Sequence, residues 1–234
     1  MRRAEPRAPL LLASLLLAAL APVPAGAGGA SVTGTVKVLK KGGAGFHRRA
    51  DSAVVWLAGP RSPAPASPVL VNQVKKKFHP RVLPVVKGQM VHFMNQDRLE
   101  HNVFSPSGGR GFDLGRYPKG EYRPIRFDEL GVFKVYCDIH KAMILDVIVL
   151  ANRYFAVTDD DGVFAIEGVP PGSYELKIWH IYGGTHTRAL EVSDGAVALE
   201  PITVGSTKVV REVEEHLDKS GKPYPKKKKR YERR

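Results

Sequence analysis

Strand signals dominate this chain. Residues 32–38 (VTGTVKV) alternate apolar and polar, as a strand with one face in a core does, and residues 53–57 (AVVWL) make a short apolar run. A Pro/Ser/Ala-rich stretch, 59–68 (GPRSPAPASP), reads as a linker. Beyond it, residues 69–97 read as two or three strands punctuated by Pro80, Pro84 and the Lys87-Gly88 turn. Within them Val91, Phe93 and Asn95 share one face and Met90, His92 and Met94 the other. The two strongest strands are 131–137 (GVFKVYC) and 144–150 (ILDVIVL). After Asn152 short strands follow one another to about Val204, with turns at Asp161-Gly162 and Pro170-Pro171-Gly172. Val209, Val210, Val213 and Leu217 then fall at helical spacing, which predicts a short closing helix over 207–218. Short strands without helical spacers imply antiparallel sandwiches rather than a parallel sheet, and no internal repeat is visible.

The N-terminus does not belong to this pattern. Arg2, Arg3 and Arg7 precede the apolar run 8–21, and Ala25-Gly26-Ala27 follows it, the three-part pattern of a secretory signal peptide over 1–27 cleaved near Ala27. The expectation is a periplasmic or secreted protein. Net charge is +13, of which residues 219–234 carry +8 and the body, 28–218, only +3. The basicity therefore belongs to a tail, which reads as disordered and solvated. For an exported chain nucleic acid is not the expected partner; an anionic membrane surface or an acidic protein fits the tail better.

One cysteine, Cys137, occurs in 234 residues, so an exported chain free to form disulfides can make none within itself. Alone, such a thiol reads as a small buried hydrophobe. Its surroundings say more. In YCDIHKAM, five residues between Cys137 and Met143 include His140, so a thiolate, an imidazole and a thioether sit on one inter-strand loop. That soft N/S set suits copper held by two histidines and a cysteine with a weak axial methionine, and it needs a second histidine from elsewhere. His101, in NQDRLEHNVFSP after the strand ending at Asn95, is the best candidate.

Here the sequence resembles the cupredoxin, or blue-copper, family. GQMVHFMN resembles its G-x-x-V-x-F-x-N strand, HNVFS its first ligand motif, GVFKVYC its strand into the copper cysteine, and the C-x2-H-x2-M spacing the short loop of amicyanin. With the following YFAVTDDDGVFAIEGVPPGSYELKIWH, the arrangement is also similar to cupredoxin-type proteins of methylamine utilization. The resemblance covers about 69–180. It implies one type 1 copper with His101, Cys137 and His140 as equatorial ligands and Met143 axial, and Asn102 steadying the site by a hydrogen bond to the cysteine loop. It implies electron transfer rather than catalysis, with Ile139, Lys141 and Ala142 as the rim around the His140 edge where electrons pass. A c-type cytochrome or a periplasmic oxidoreductase is the implied redox partner. Asp138 and Lys141 stand where amicyanin-like loops often carry proline.

The implied architecture is all-β: a Greek-key cupredoxin sandwich over 69–150 joined to a small transthyretin-like module over 151–206, which resembles a carboxypeptidase regulatory-like domain. Residues 31–58 read as that module's opening strands, with the copper domain inserted between. Competing chemistries lack their residues. Covalent haem needs C-x-x-C-H, a dinuclear purple copper centre needs two cysteines, and multicopper oxidases flank the copper cysteine with histidines. Two other functions use the same sequence: copper delivery or storage through the same ligands, and a metal-free surface-binding role for the smaller module. Met90, His92 and Met94 could hold Cu(I) but more simply cover a sheet face. His79, His180 and His186 read as structural or surface residues, and TDDDG at 158–162 as a hairpin turn rather than a calcium loop.

Overall fold

The structure is a computed structural model that describes residues 29–47, 52–59, 61–107, 111–206 and 216–224. The expected signal peptide, most of the expected closing helix and the end of the basic tail (225–234) lie outside the described residues. Residues 216–218, the described part of that helix, carry no helical turn.

Seventeen strands form among the described residues. They are β1 (Ala30–Leu39), β2 (Val54–Ala58), β3 (Val69–Val74), β4 (Lys77–His79), β5 (Val82–Val86), β6 (Met90–Asn95), β7 (His101–Ser105), β8 (Phe112–Tyr117), β9 (Tyr122–Arg126), β10 (Gly131–Tyr136), β11 (Ile144–Leu150), β12 (Phe155–Val157), β13 (Val163–Val169), β14 (Gly172–His180), β15 (Gly184–Val192), β16 (Ala196–Ala198) and β17 (Ile202–Gly205).

β1 and β2 pair with strands from residue 155 onward, not with those that follow them directly. β1 lies antiparallel to β13 and parallel to β16 and β17, and β2 lies between β12 and β14, with β15 beyond. The pairing gathers one core: Val32, Val36 and Val38 face inward with Val55, Leu57, Ile166, Leu176 and Ile178. Residues 69–150 form the two other sheets, β4-β3-β6-β9 and β5-β11-β10-β7-β8, around a second core built on Val71, Val91, Phe93, Val135, Leu145 and Val147. The sheets are mixed rather than antiparallel throughout. β3 runs parallel to β6 and β5 to β11, because the chain crosses from one sheet to the other between them.

The run ILDVIVL has no polar alternation because β11 is buried on both faces. Leu145, Val147 and Val149 enter the second core, while Ile148 and Leu150 meet Val54, Val82 and Trp179 in a third cluster that joins the two sandwiches. Asp146, fully buried in the same strand, is neutralised by Lys134, its cross-strand partner on β10. Lys134 Nζ also lies 6.0 Å from the centre of the Trp179 ring. The two chain crossings between sandwiches are stitched by Asn152 Nδ2 donating to the Leu57 carbonyl (2.9 Å) and Ser62 N–H to the Ala151 carbonyl (3.0 Å).

Candidate metal centre

The site is built at the end where β7 begins and β10 gives way to β11. Asn95, the buried last residue of β6, organises the approach. Its amide donates to the carbonyls of Leu99 (2.9 Å) and Tyr117 (3.0 Å), and its carbonyl accepts Asp97 N–H (2.9 Å). This fixes the loop that carries Asp97 and delivers His101 to the head of β7, opposite Tyr117 on β8.

Asp97 is the residue that sequence reasoning missed. Its carboxylate lies 2.8 Å from His101 Nε2 and accepts the N–H groups of Lys75 and Lys76, both at 2.7 Å. Those two lysines form the β3–β4 turn in left-handed conformation (φ 52° and 58°), which turns both N–H groups toward one point. Burial works against the Asp97 charge, but the Lys76 N–H, His101 and the Lys75 N–H outweigh it and hold its carboxyl below the ordinary range. The only hint in the sequence is an acid four residues before the histidine; the turn that pins it is invisible there.

With Nε2 directed at Asp97, His101 turns Nδ1 toward the loop. Nδ1 of His101 and Nδ1 of His140 lie 3.0 Å apart, and Cys137 Sγ is 3.6 Å from His140 Nδ1. The three donor atoms all fall within 4.8 Å of one another. Met143, fully buried, packs in the core cluster that contains Cys137. The loop closes on itself through Met143 N–H to the His140 carbonyl (2.9 Å) and Cys137 N–H to the Met143 carbonyl (3.3 Å).

Asn102 couples the two halves. Its side-chain oxygen accepts Asp138 N–H (3.2 Å) and its amide donates to Asp113 (2.6 Å). Burial pushes the Cys137 thiol up, while the backbone N–H groups of Asn102, Ile139 and His140 act the other way by favouring a thiolate. Burial also pushes the His140 imidazole down, aided by His101 and Lys76, which favours the neutral ring that a metal ligand must be. The donor set fits a small soft cation. Two nitrogens each about 2.0 Å from one ion, opened to about 110°, stand roughly 3.3 Å apart, close to the spacing seen.

The other residues singled out from the sequence lie apart from this cluster or around it. Ile139, Lys141 and Ala142 are exposed on the loop, beside the half-buried His140. Met90, His92 and Met94 are half-buried on the outer face of β6, where the His92 ring stacks on Tyr122 at 4.6 Å. His79 is exposed on β4, while His180 ends β14 and His186 lies on β15. In the β12–β13 turn Asp159 accepts the N–H groups of Asp161 and Val163, so that carboxylate serves the backbone.

No family model matches the chain, and no curated protein does. Among solved structures it is similar to amicyanin from Paracoccus versutus, at 26% identity over 41% of this chain and 96% of that one, with a TM-score of 0.34. It is also similar to the copper-containing nitrite reductase from Thermus scotoductus, at 26% identity over 40% of this chain and 25% of that one (TM-score 0.34). A third is the purple cupredoxin from Nitrosopumilus maritimus, at 24% identity over 35% of this chain and 98% of that one (TM-score 0.31). The chain thus spans about a quarter of the nitrite reductase's length.

Proposed function

We propose that this chain is an exported electron carrier of cupredoxin type that holds one type 1 copper through His101, Cys137, His140 and Met143, and that it is not itself an enzyme. The observation that carries this reading is the convergence of His101 Nδ1, His140 Nδ1 and the buried Cys137 sulfur on one point, drawn from β7 and from a loop 36 residues later in the chain. Copper bound there would supply a one-electron couple.

The chain's own residues do the rest. Asp97 holds the His101 ring and directs its free nitrogen inward. Asn102, through Asp138 N–H, keeps the cysteine loop at a fixed distance from β7. Three backbone N–H groups work against the burial that raises the Cys137 thiol, and a bound cation would complete its ionisation. A donor set held this firmly keeps one geometry through a change of oxidation state, which suits electron transfer. The half-buried His140, ringed by exposed Ile139, Lys141 and Ala142, offers the short path to a redox protein such as a c-type cytochrome or a periplasmic oxidoreductase.

The test is to add Cu(II) to the mature protein and record its visible spectrum. An intense thiolate-to-copper band that disappears in Cys137→Ser is the expected result. No band, or one that survives that substitution, defeats the reading.

A further inference from the structure

Residues 216–224 come back across the ligand loop from the far end of the chain, and two of their hydrogen bonds fall on its backbone. The Tyr224 hydroxyl donates to the Cys137 carbonyl at 2.6 Å. His216 Nε2 lies 2.8 Å from the Lys141 carbonyl, and its ring stacks on Tyr136 with centroids 4.0 Å apart and planes 18° from parallel. Lys219 pairs with Asp113 at 2.8 Å and reaches Asp138 at 3.8 Å.

The segment is shaped for this. Asp218 Oδ1 accepts the N–H groups of Ser220 and Lys222, and Asp218 N–H donates to the Lys222 carbonyl, so 218–222 is a closed turn. Gly221 sits in it at φ 75°. The Tyr224 ring then meets the His216 ring nearly edge-on at 5.0 Å, so the two anchors brace each other. Asp113, which Lys219 grips, is the residue that holds Asn102. Burial opposes its charge, but hydrogen bonds from Lys219, the Gly115 N–H and Asn102 prevail and keep its carboxyl below the ordinary range.

One anchor therefore fixes the first residue of the ligand loop and another fixes its fifth, while the sulfur between them is wholly buried. A reagent or a departing ion reaches that sulfur only when this part of the structure opens. We propose that residues 216–224 form a strap that latches the ligand loop shut, with His216, Lys219 and Tyr224 as its positioning residues, so that access to Cys137 and loss of a bound metal wait on release of the strap. The metal half of this inference rests on the copper reading above; the thiol half stands without it.

Because Cys137 is the chain's only cysteine, the rate at which an aromatic disulfide reagent labels the metal-free full-length protein reports exposure of this thiol alone. Tyr224→Phe removes one donor and keeps the ring, and His216→Ala with Tyr224→Phe removes the stack as well. Far-UV circular dichroism checks that both variants keep the fold. Faster labelling is expected in both, by about tenfold or more in the double variant. Rates equal to wild type in both overturn the strap, whether or not the protein binds copper. In copper-loaded protein, faster extraction by a Cu(I) chelator in the double variant, with the visible band retained beforehand, is the expected companion result. Equal extraction rates overturn the claim about metal loss. Absence of a band in the wild type would defeat the copper reading and leave the labelling result intact.

Discussion

Among single residues, Asp97 has the most leverage on the centre for its distance from it. It offers no atom to the donor cluster, yet it ties His101 to the β3–β4 turn through three hydrogen bonds. Asp97→Ala would leave the His101 ring without its outer partner and free to rotate. Copper affinity, measured by competition with a chelator, is expected to fall about 10–100-fold, with the protein still folded. Asn152 plays a comparable part away from the centre. It is buried, with its amide on the Leu57 carbonyl and its oxygen accepting Tyr154 N–H at 3.0 Å. Asn152→Ala orphans both groups and is expected to lower unfolding stability by about 1–3 kcal/mol in urea.

Among elements, the β3–β4 turn shows strain placed where it positions something. Lys75 and Lys76 both hold φ above zero, a conformation that costs side-chain-bearing residues about 1–2 kcal/mol each and that Asn-Gly adopts readily. Replacing the pair with Asn-Gly keeps both N–H groups available to Asp97. The urea midpoint is expected to rise, by about 0.4–1 kcal/mol in stability, with copper affinity unchanged. A fall in stability would mean that the lysine side chains themselves hold the turn. The segment 216–224 makes the opposite point. Its composition, with Lys219 and Lys222 leading into a lysine run, reads as solvated tail, yet Tyr224 and His216 find partners on a loop some 80 residues earlier in the chain. Charge content forecasts solvation; it does not reveal a carbonyl waiting for a donor.

For the whole molecule, the third cluster decides whether the two sandwiches act as one. Val54 and Trp179 come from one sandwich and Val82, Ile148 and Leu150 from the other, with Lys134 bridging to the Trp179 ring. Heating the wild type is expected to give one cooperative transition. Trp179→Ala should remove about 3–5 kcal/mol and separate that transition into two, read by calorimetry. A single transition shifted downward would mean that the stitches at Asn152 and Ser62 suffice.

Local pattern in the chain gave the strands whose alternation is plain, as at 32–38 and 90–95, where it dictates which side chains enter a core whatever lies opposite; it did not give β8 or β9, and it read two or three strands over 69–97 where four form. It also gave the candidate ligand types of the loop, because Cys137, His140 and Met143 are close in the chain and their spacing is itself local. What it lacked was every relation between distant segments that no pattern encodes. The parallel pairing of β3 with β6 and of β5 with β11, the salt bridge that lets Asp146 lie in an apolar strand, the carboxylate behind His101 and the segment across the ligand loop all depend on which surfaces meet. Those are set by packing free energy summed over the whole molecule, and only the tertiary structure decided them.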